Sequence, residues 1–296
     1  MRCGFVSLVG RPNVGKSSLL NSILDIKIAI TSNVSGTTRN IIQGIYNDDD
    51  SQIVFVDTPG IHKPINKLGN LLNKKAYDNT EGVDVILFLI DVSKGFGKGD
   101  QFILEKIKNK NIPIFLLLNK IDLIKDKSKL LEDINKLKEL YSFAEIIPIS
   151  AVSKDNIELL IKCLKKQLPE STRIFSEEEI TNVSTRFIMA EFVREKILES
   201  THDEIPHTVT CYIENYKETK KLVHIQALIV VDRENIKKII IGKQGLKLKE
   251  IATKARKEME MFLGKKVFLE TYVKTIKNWR DEEKYFLELG LKDDDE

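Results

Sequence analysis

Eight residues near the start of the sequence, Gly10-Arg11-Pro12-Asn13-Val14-Gly15-Lys16-Ser17, have the spacing G-x-x-x-x-G-K-S, and Ser18 follows. Glycines let the backbone wrap closely, so that successive N–H groups and a following helix N-terminus face a chain of phosphates. The Lys16 ammonium can bridge β- and γ-phosphate oxygens, and the Ser17 hydroxyl can ligate magnesium. Three further segments extend the set. Asp57-Thr58-Pro59-Gly60 supplies a carboxylate that can hold the magnesium through water and, at Gly60, an N–H that can sense the terminal phosphate. In Asn119-Lys120-Ile121-Asp122 the last carboxylate can accept two hydrogen bonds from guanine N1–H and its 2-amino group, which adenine cannot offer. Ser150-Ala151 supplies a backbone N–H for the guanine 6-oxo group.

Such residues act together only if a scaffold brings them to one edge, and the apolar pattern predicts one. Runs at Phe5–Val9, Ile53–Val56, Val85–Ile90, Ile114–Leu118 and Ile146–Ile149 alternate with helical periodicity at Lys16–Leu24, Gln101–Asn109, Leu130–Leu140 and Asn156–Gln167. Short, fully apolar strands between helices indicate a mainly parallel sheet covered on both faces. Each motif follows a strand, at the edge where open α/β sheets bind ligands. Ile41–Tyr46 and Gln52–Val56, separated by the polar Asn47-Asp48-Asp49-Asp50-Ser51, read as an antiparallel hairpin at the sheet edge. This α/β domain is expected over residues 1–168, a linker over 169–184, and an α+β domain over 185–296.

The second domain has its own chemistry. Ile239-Ile240-Ile241-Gly242-Lys243-Gln244-Gly245, followed by Leu246-Lys247-Leu248-Lys249, fits a helix–GxxG–helix clamp for a sugar–phosphate backbone, of the KH type. Two strands (Thr208–Glu214, Leu222–Val231) precede it, and a helix to Phe262 and a strand at Lys266–Lys274 follow. Ile241, Gly242, Lys243, Gln244, Gly245, Lys247 and Lys249 are the expected RNA contacts, with Lys254 and Lys257 as candidates to continue a phosphate track. Trp279 is a candidate for stacking on bases, whereas Phe268 is expected in the core. From Arg233 to Arg280 there are 14 Lys or Arg against 5 Glu, while Asp281–Glu296 carries 8 acids against 2 Lys. A basic segment of this kind suits a polyanionic partner.

Composition excludes several other classes. The 296 residues are 42% hydrophobic and 31% charged, with 15 Gly and 7 Pro, which suits two packed domains and not a disordered or collagen-like chain. Three separated cysteines (Cys3, Cys163, Cys211) and four scattered histidines support neither a disulfide framework nor a metal cluster. No run approaches the roughly 18–20 apolar residues that span a bilayer, and Met1–Phe5 leads into a strand pattern with no signal-peptide core. A cytoplasmic, monomeric protein is expected.

Over residues 1–168 the chain resembles the translation-factor-like P-loop GTPases, and Gly36-Thr37-Thr38-Arg39 looks like their first switch, with Thr38 as the magnesium and γ-phosphate ligand. The resemblance implies Mg²⁺ held by Ser17, Thr38 and Asp57, and catalysis resting on Lys16, Thr38 and Gly60. Ile61 stands where Ras-like GTPases carry a water-orienting Gln, and His62 beside it is read as a loop residue, so slow intrinsic hydrolysis is expected. Asn13 sits where relatives with the same loop ligate K⁺ beside the phosphates. With the GxxG domain added, the chain is similar to the Era family throughout, including Arg186-Phe187-Ile188-Met189-Ala190-Glu191, Arg194-Glu195-Lys196-Ile197 and Glu204-Ile205-Pro206-His207. The acidic Asp293–Glu296 departs from it. The resemblance implies a GTP/GDP switch that binds the 3′ region of small-subunit (16S) ribosomal RNA and assists 30S subunit assembly. The competing class is a signalling GTPase at the inner face of the cell membrane, its basic face on anionic lipid. A tRNA-modifying GTPase would need a further catalytic domain, for which no sequence pattern is seen.

Overall fold

The computed structural model describes residues 1–32, 34, 37–60, 72, 74, 82–202 and 205–281, with Lys127 and Lys129 as backbone only. Gly36, Ile61, His62, Glu204 and the acidic tail beyond Asp281 lie outside the described residues. The described residues divide into two compact units, the first up to Asn182 and the second from Val183.

The first unit is built on a six-stranded sheet. Its strands are β1 (Arg2–Gly10), β2 (Ile42–Asn47), β3 (Ser51–Asp57), β4 (Val85–Asp91), β5 (Ile114–Asn119) and β6 (Glu145–Pro148). They lie in the order β2-β3-β1-β4-β5-β6, with β2 antiparallel to β3 and every other neighbour parallel. Between them run α1 (Lys16–Leu24), α2 (Lys98–Ile107), α3 (Lys127–Leu140) and α4 (Ile157–Gln167). Alternation sends successive side chains to opposite faces. Ile86, Phe88, Ile90, Leu116 and Leu118 therefore pack with Ile103, Leu104, Ile107 and Leu137 of α2 and α3, while Leu87, Leu89, Phe115 and Leu117 fill the other face. Both faces are buried, which is why these strands read as unbroken apolar runs.

Residues 169–182, within the stretch 169–184 expected as a linker, lie along this unit and bond its β1 and β2 strands. Ile45 N–H donates to Ile180 O at 2.8 Å, Gln43 N–H to Asn182 Oδ1 at 2.9 Å, and Cys3 N–H to Pro169 O at 3.2 Å. Buried Gln52 completes the attachment: its Oε1 accepts from the N–H groups of Ile174 and Phe175, and its Nε2 donates to Phe175 O. An edge strand with free backbone groups is a pairing template, and this strap occupies it. The signal was a single buried amide, invisible to hydrophobic periodicity.

The second unit opens with α5 (Thr185–Ser200), capped by the Ser184 side chain on Phe187 N–H, and continues with β7 (Val209–Glu218) and β8 (Leu222–Val231). The short α6 (Glu234–Ile241), the long α7 (Leu246–Leu263) and β9 (Lys266–Thr275) follow. The sheet order is β7-β8-β9, antiparallel then parallel. Val223, Ile225, Ala227, Ile229 and Val267 line the buried face. Charged groups inside α5 are paired: Arg194 forms a fork with Glu191 through Nε and Nη2, each at 2.6 Å, and Lys196 meets Glu195, Glu199 and Glu258. Burial pulls the Lys196 ammonium down, but those three carboxylates outweigh it and leave its pKa above the ordinary lysine range.

Candidate functional site

Because β1, β3, β4, β5 and β6 run parallel, their C-terminal ends share one edge, and the motifs meet there. The phosphate loop leaves β1 at Gly10 and enters α1 at Lys16. Gly15 turns with φ +101°, and a Cβ there would fall 2.3 Å from Asn119 Nδ2. Glycine is required twice over, by the dihedral and by the space.

Lys16 is buried, and its ammonium donates to the carbonyls of Gly10 and Arg11, each at 3.2 Å. Desolvation lowers its pKa, and the charge of Asp57 works the other way. Across from it, Ser17 Oγ donates to Asp57 Oδ2 at 2.6 Å and lies 3.0 Å from Thr38 Oγ1. The three residues expected at magnesium are thus one cluster. Thr37, by contrast, turns its hydroxyl back to Val34 O at 2.6 Å. Burial pushes the Asp57 carboxyl up to about 6 against the pull of Lys16 and Ser17. Its second oxygen, Oδ1, is buried with no hydrogen-bond partner among the described residues. A carboxylate with an orphaned oxygen beside two hydroxyls is an all-oxygen donor set that fits a hard divalent cation such as Mg²⁺. When bound, that ion supplies charge neutralisation and polarises phosphate oxygens.

The guanine motif grips the same loop. Asn119 Nδ2 donates to Val14 O at 2.8 Å, and Lys120 Nζ donates to Asn13 O at 2.8 Å and to Asp91 Oδ2 at 2.7 Å. Asp122 Oδ1 accepts from the Ser150 hydroxyl at 2.6 Å, which orients the carboxylate. The Ala151 N–H, expected at the guanine 6-oxo group, donates to Asn119 Oδ1 at 3.1 Å, so a base must share or displace that bond. Gly60 abuts the loop closely: a Cβ would lie 2.9 Å from Pro12 Cα. Thr58 anchors the same turn through its hydroxyl on Leu8 O at 2.8 Å. Sequence reading missed Asp91, the partner of Lys120. The signal was available, since Asp91 ends β4 as Asp57 ends β3 and Asn119 ends β5. Burial tends to raise its pKa, but Lys120 and Ser93 outweigh that and hold it below the ordinary carboxylate range.

In the second unit, α6 ends at Gly242 (φ +71°), Lys243–Gly245 form one tight turn, and α7 starts at Leu246. A Cβ on Gly242 would meet Lys247 Cβ at 2.7 Å, whereas Gly245 (φ +74°) faces open space. Lys243, Gln244 and Lys249 are exposed, Ile241 and Lys247 half-buried, and exposed Ile239 and Leu246 flank the turn with apolar surface. Two expectations change. Trp279 is fully buried with its Nε1–H on Thr208 O at 3.0 Å, so it is a core residue and not a stacking platform. Phe268, expected in the core, is half exposed on the open sheet face, its ring 5.3 Å from that of His224. Alternation explains Phe268: Val267 takes the helix-covered side of β9, and Phe268 must take the other. Lys254 pairs with Glu250 at 2.7 Å, one turn back on α7.

A family model described as 50S ribosome-binding GTPase matches residues 5–120, and a KH domain model matches 204–280. The structure superposes with a TM-score of 0.95 on Era in complex with MgGDPNP and nucleotides 1506–1542 of 16S ribosomal RNA, at 40% identity over 98% of this chain and 99% of that one. The chain belongs to the Era family. A variant Era of Aquifex aeolicus bound to GDP and AlF4⁻ matches equally, with a TM-score of 0.95 and 40% identity. Era-family membership makes the chain a GTPase with a C-terminal KH domain. No helix among the described residues is long and apolar enough to cross a membrane.

Proposed function

We propose that this chain is a GTP-driven switch of small-subunit ribosome assembly, whose KH domain takes the 3′ region of 16S ribosomal RNA when GTP and Mg²⁺ occupy the first domain. The observation that carries this reading is the whole-chain match, through both domains, to an Era crystallised with those ligands together. The 50S description belongs to a model covering only residues 5–120 and says nothing of the GxxG clamp.

In this reading the loop backbone and Lys16 take the phosphates, Ser17, Thr38 and Asp57 hold Mg²⁺, and Asp122 reads guanine. Asn13 is a ligand for K⁺, to be tested by GTPase rates in K⁺ against Na⁺; equal rates would remove it. Hydrolysis is slow and occurs in the cytoplasm in a monomer. The GxxG turn with Lys243, Lys247 and Lys249 holds the RNA backbone. A ligand shifts a switch only through unequal affinity for its states, so RNA affinity must depend on the nucleotide.

The test is binding of a short RNA with the 16S 3′ sequence to the protein loaded with GDPNP and then with GDP, at one salt concentration because phosphate contacts are strongly salt-dependent. Tighter binding with GDPNP is expected. Equal affinity would remove the switch, and binding to anionic vesicles in place of RNA would favour a membrane role for the basic face.

A further inference from the structure

Asp100 belongs to none of the four nucleotide motifs, yet it holds the phosphate loop from outside. It lies in the first turn of α2, is fully buried, and meets the Arg11 guanidinium in a fork, Nε to Oδ1 and Nη2 to Oδ2, both at 2.8 Å. Its Oδ2 also accepts the Gly97 N–H at 2.9 Å. The Arg11 stem lies against Gly99, where a Cβ would fall 2.6 Å from Arg11 Cδ, and its Nη2 reaches the Gly95 carbonyl at 3.5 Å. The segment Gly95-Phe96-Gly97-Lys98-Gly99-Asp100 is therefore a cradle shaped to one arginine. Forked arginine–carboxylate pairs fix geometry as well as charge. Withdrawing Arg11 would strand a buried carboxylate, which is costly.

The loop is thus held from two sides. Asn119 and Lys120 hold Val14 and Asn13. Asp100 holds Arg11, whose carbonyl accepts from Lys16 and whose neighbour Pro12 abuts Gly60. Lys16 and Gly60 are the groups assigned to the γ-phosphate. We propose that Asp100 is a positioning residue for GTP hydrolysis: acting through Arg11, it sets the γ-phosphate end of the loop, while the guanine motif sets the other end. Arg11 serves the loop with its side chain and offers the nucleotide its backbone.

The experiment measures kcat for GTP and Kd for GDP and GDPNP in full-length Asp100→Asn, Arg11→Gln and the double variant. Asn keeps the size of Asp100, and the double variant leaves no buried charge, so it carries the test if a single variant does not fold. In each folded variant kcat should fall about tenfold and GDPNP bind more weakly, because small misplacements at a reacting centre are expensive in rate. GDP affinity should stay within about twofold of the parent. The double variant should be no worse than the more affected single, since both act through one contact. GDP affinity falling in parallel with kcat would reduce the pair to general support of the domain and overturn the proposal. Unchanged kcat, or effects that multiply in the double variant, would overturn it as well.

Discussion

Ser17 donates to one oxygen of Asp57 at 2.6 Å, and the other oxygen of that carboxylate is buried without a hydrogen-bond partner among the described residues. The site therefore keeps a half-satisfied buried charge, which burial holds at a pKa of about 6. A folded-state pKa raised above the unfolded carboxylate value means that the folded chain binds the proton more tightly. In the metal-free protein the stability contribution of Asp57 is intact below about pH 4 and is lost as pH rises through about 6. Asp57→Asn should then stabilise the metal-free protein by up to about 3 kcal/mol near pH 8 and by nothing near pH 4. Thermal melts in chelator at the two pH values check this; an equal effect at both would show that Asp57 is not desolvated. The same substitution should abolish Mg²⁺-dependent GTPase activity.

Gln52 predicts a stability effect of a different kind. Its amide satisfies two N–H groups and one carbonyl of the strap at Ile174 and Phe175. Gln52→Leu preserves bulk but removes every one of these partners, and should cost about 1–3 kcal/mol. The loss should be local first: hydrogen exchange at Ile174, Phe175 and Ile45 should accelerate, while the amides of β4 and β5 keep their protection. Unchanged exchange at Ile174 would mean that the strap is held by other contacts.

What the sequence shows and what it hides follow from the range of the interactions. The strands and the G-domain helices were legible because burial on both sheet faces leaves apolar runs, as at Val85–Ile90 and Ile114–Leu118, and because each motif must follow a strand. The GxxG turn was legible because positive φ at Gly242 and Gly245 needs glycine. Asp91, Asp100 and Gln52 were not, since each is defined by a partner 29 to 123 residues away, which no local pattern encodes. Phe268 and Trp279 were exchanged for the same reason: large aromatic rings suit either a core or a base-stacking surface, and only the register of β9 and the Thr208 carbonyl decide between them.

The two glycines of the RNA clamp should separate when substituted. Gly242 has φ +71° and ψ 179°, a region open essentially to glycine, and a side chain there meets Lys247. Gly245 is left-handed helical, which Asp enters at a cost of about 1 kcal/mol, and faces open space, so no clash is added. Gly242→Asp should therefore lower both stability and RNA binding. Gly245→Asp should lower the melting temperature less than Gly242→Asp does, yet weaken RNA binding, because it sets a carboxylate where a phosphate must approach. Lys243→Ala should lower RNA affinity and reduce the salt-dependence slope by about 0.7, the value for one lost single-strand phosphate contact. Melts and salt-series titrations on all three distinguish these outcomes. RNA binding by Gly245→Asp at the parent level would take the phosphate track off this turn.

Trp279 closes the second domain from inside. It is the largest side chain that is fully buried, and its indole N–H saturates the Thr208 carbonyl just before β7 begins. Asn278 N–H on Asp232 Oδ1 at 2.8 Å and Arg280 on the same carboxylate fasten the residues on either side of it. Trp279→Ala removes the ring and strands a buried carbonyl, so a loss of about 3–5 kcal/mol is expected, with Trp279→Phe losing less because it keeps most of the apolar volume. The two variants also discriminate core from contact. A base-stacking residue would lose RNA affinity on Trp279→Ala while the fold stayed intact, and Phe would restore it. A core residue loses RNA affinity only in the temperature range where the domain unfolds. RNA titrations well below each variant's melting temperature should therefore give parent-like affinity for both variants, and reduced affinity in fully folded Trp279→Ala, restored in Trp279→Phe, would return Trp279 to the binding surface.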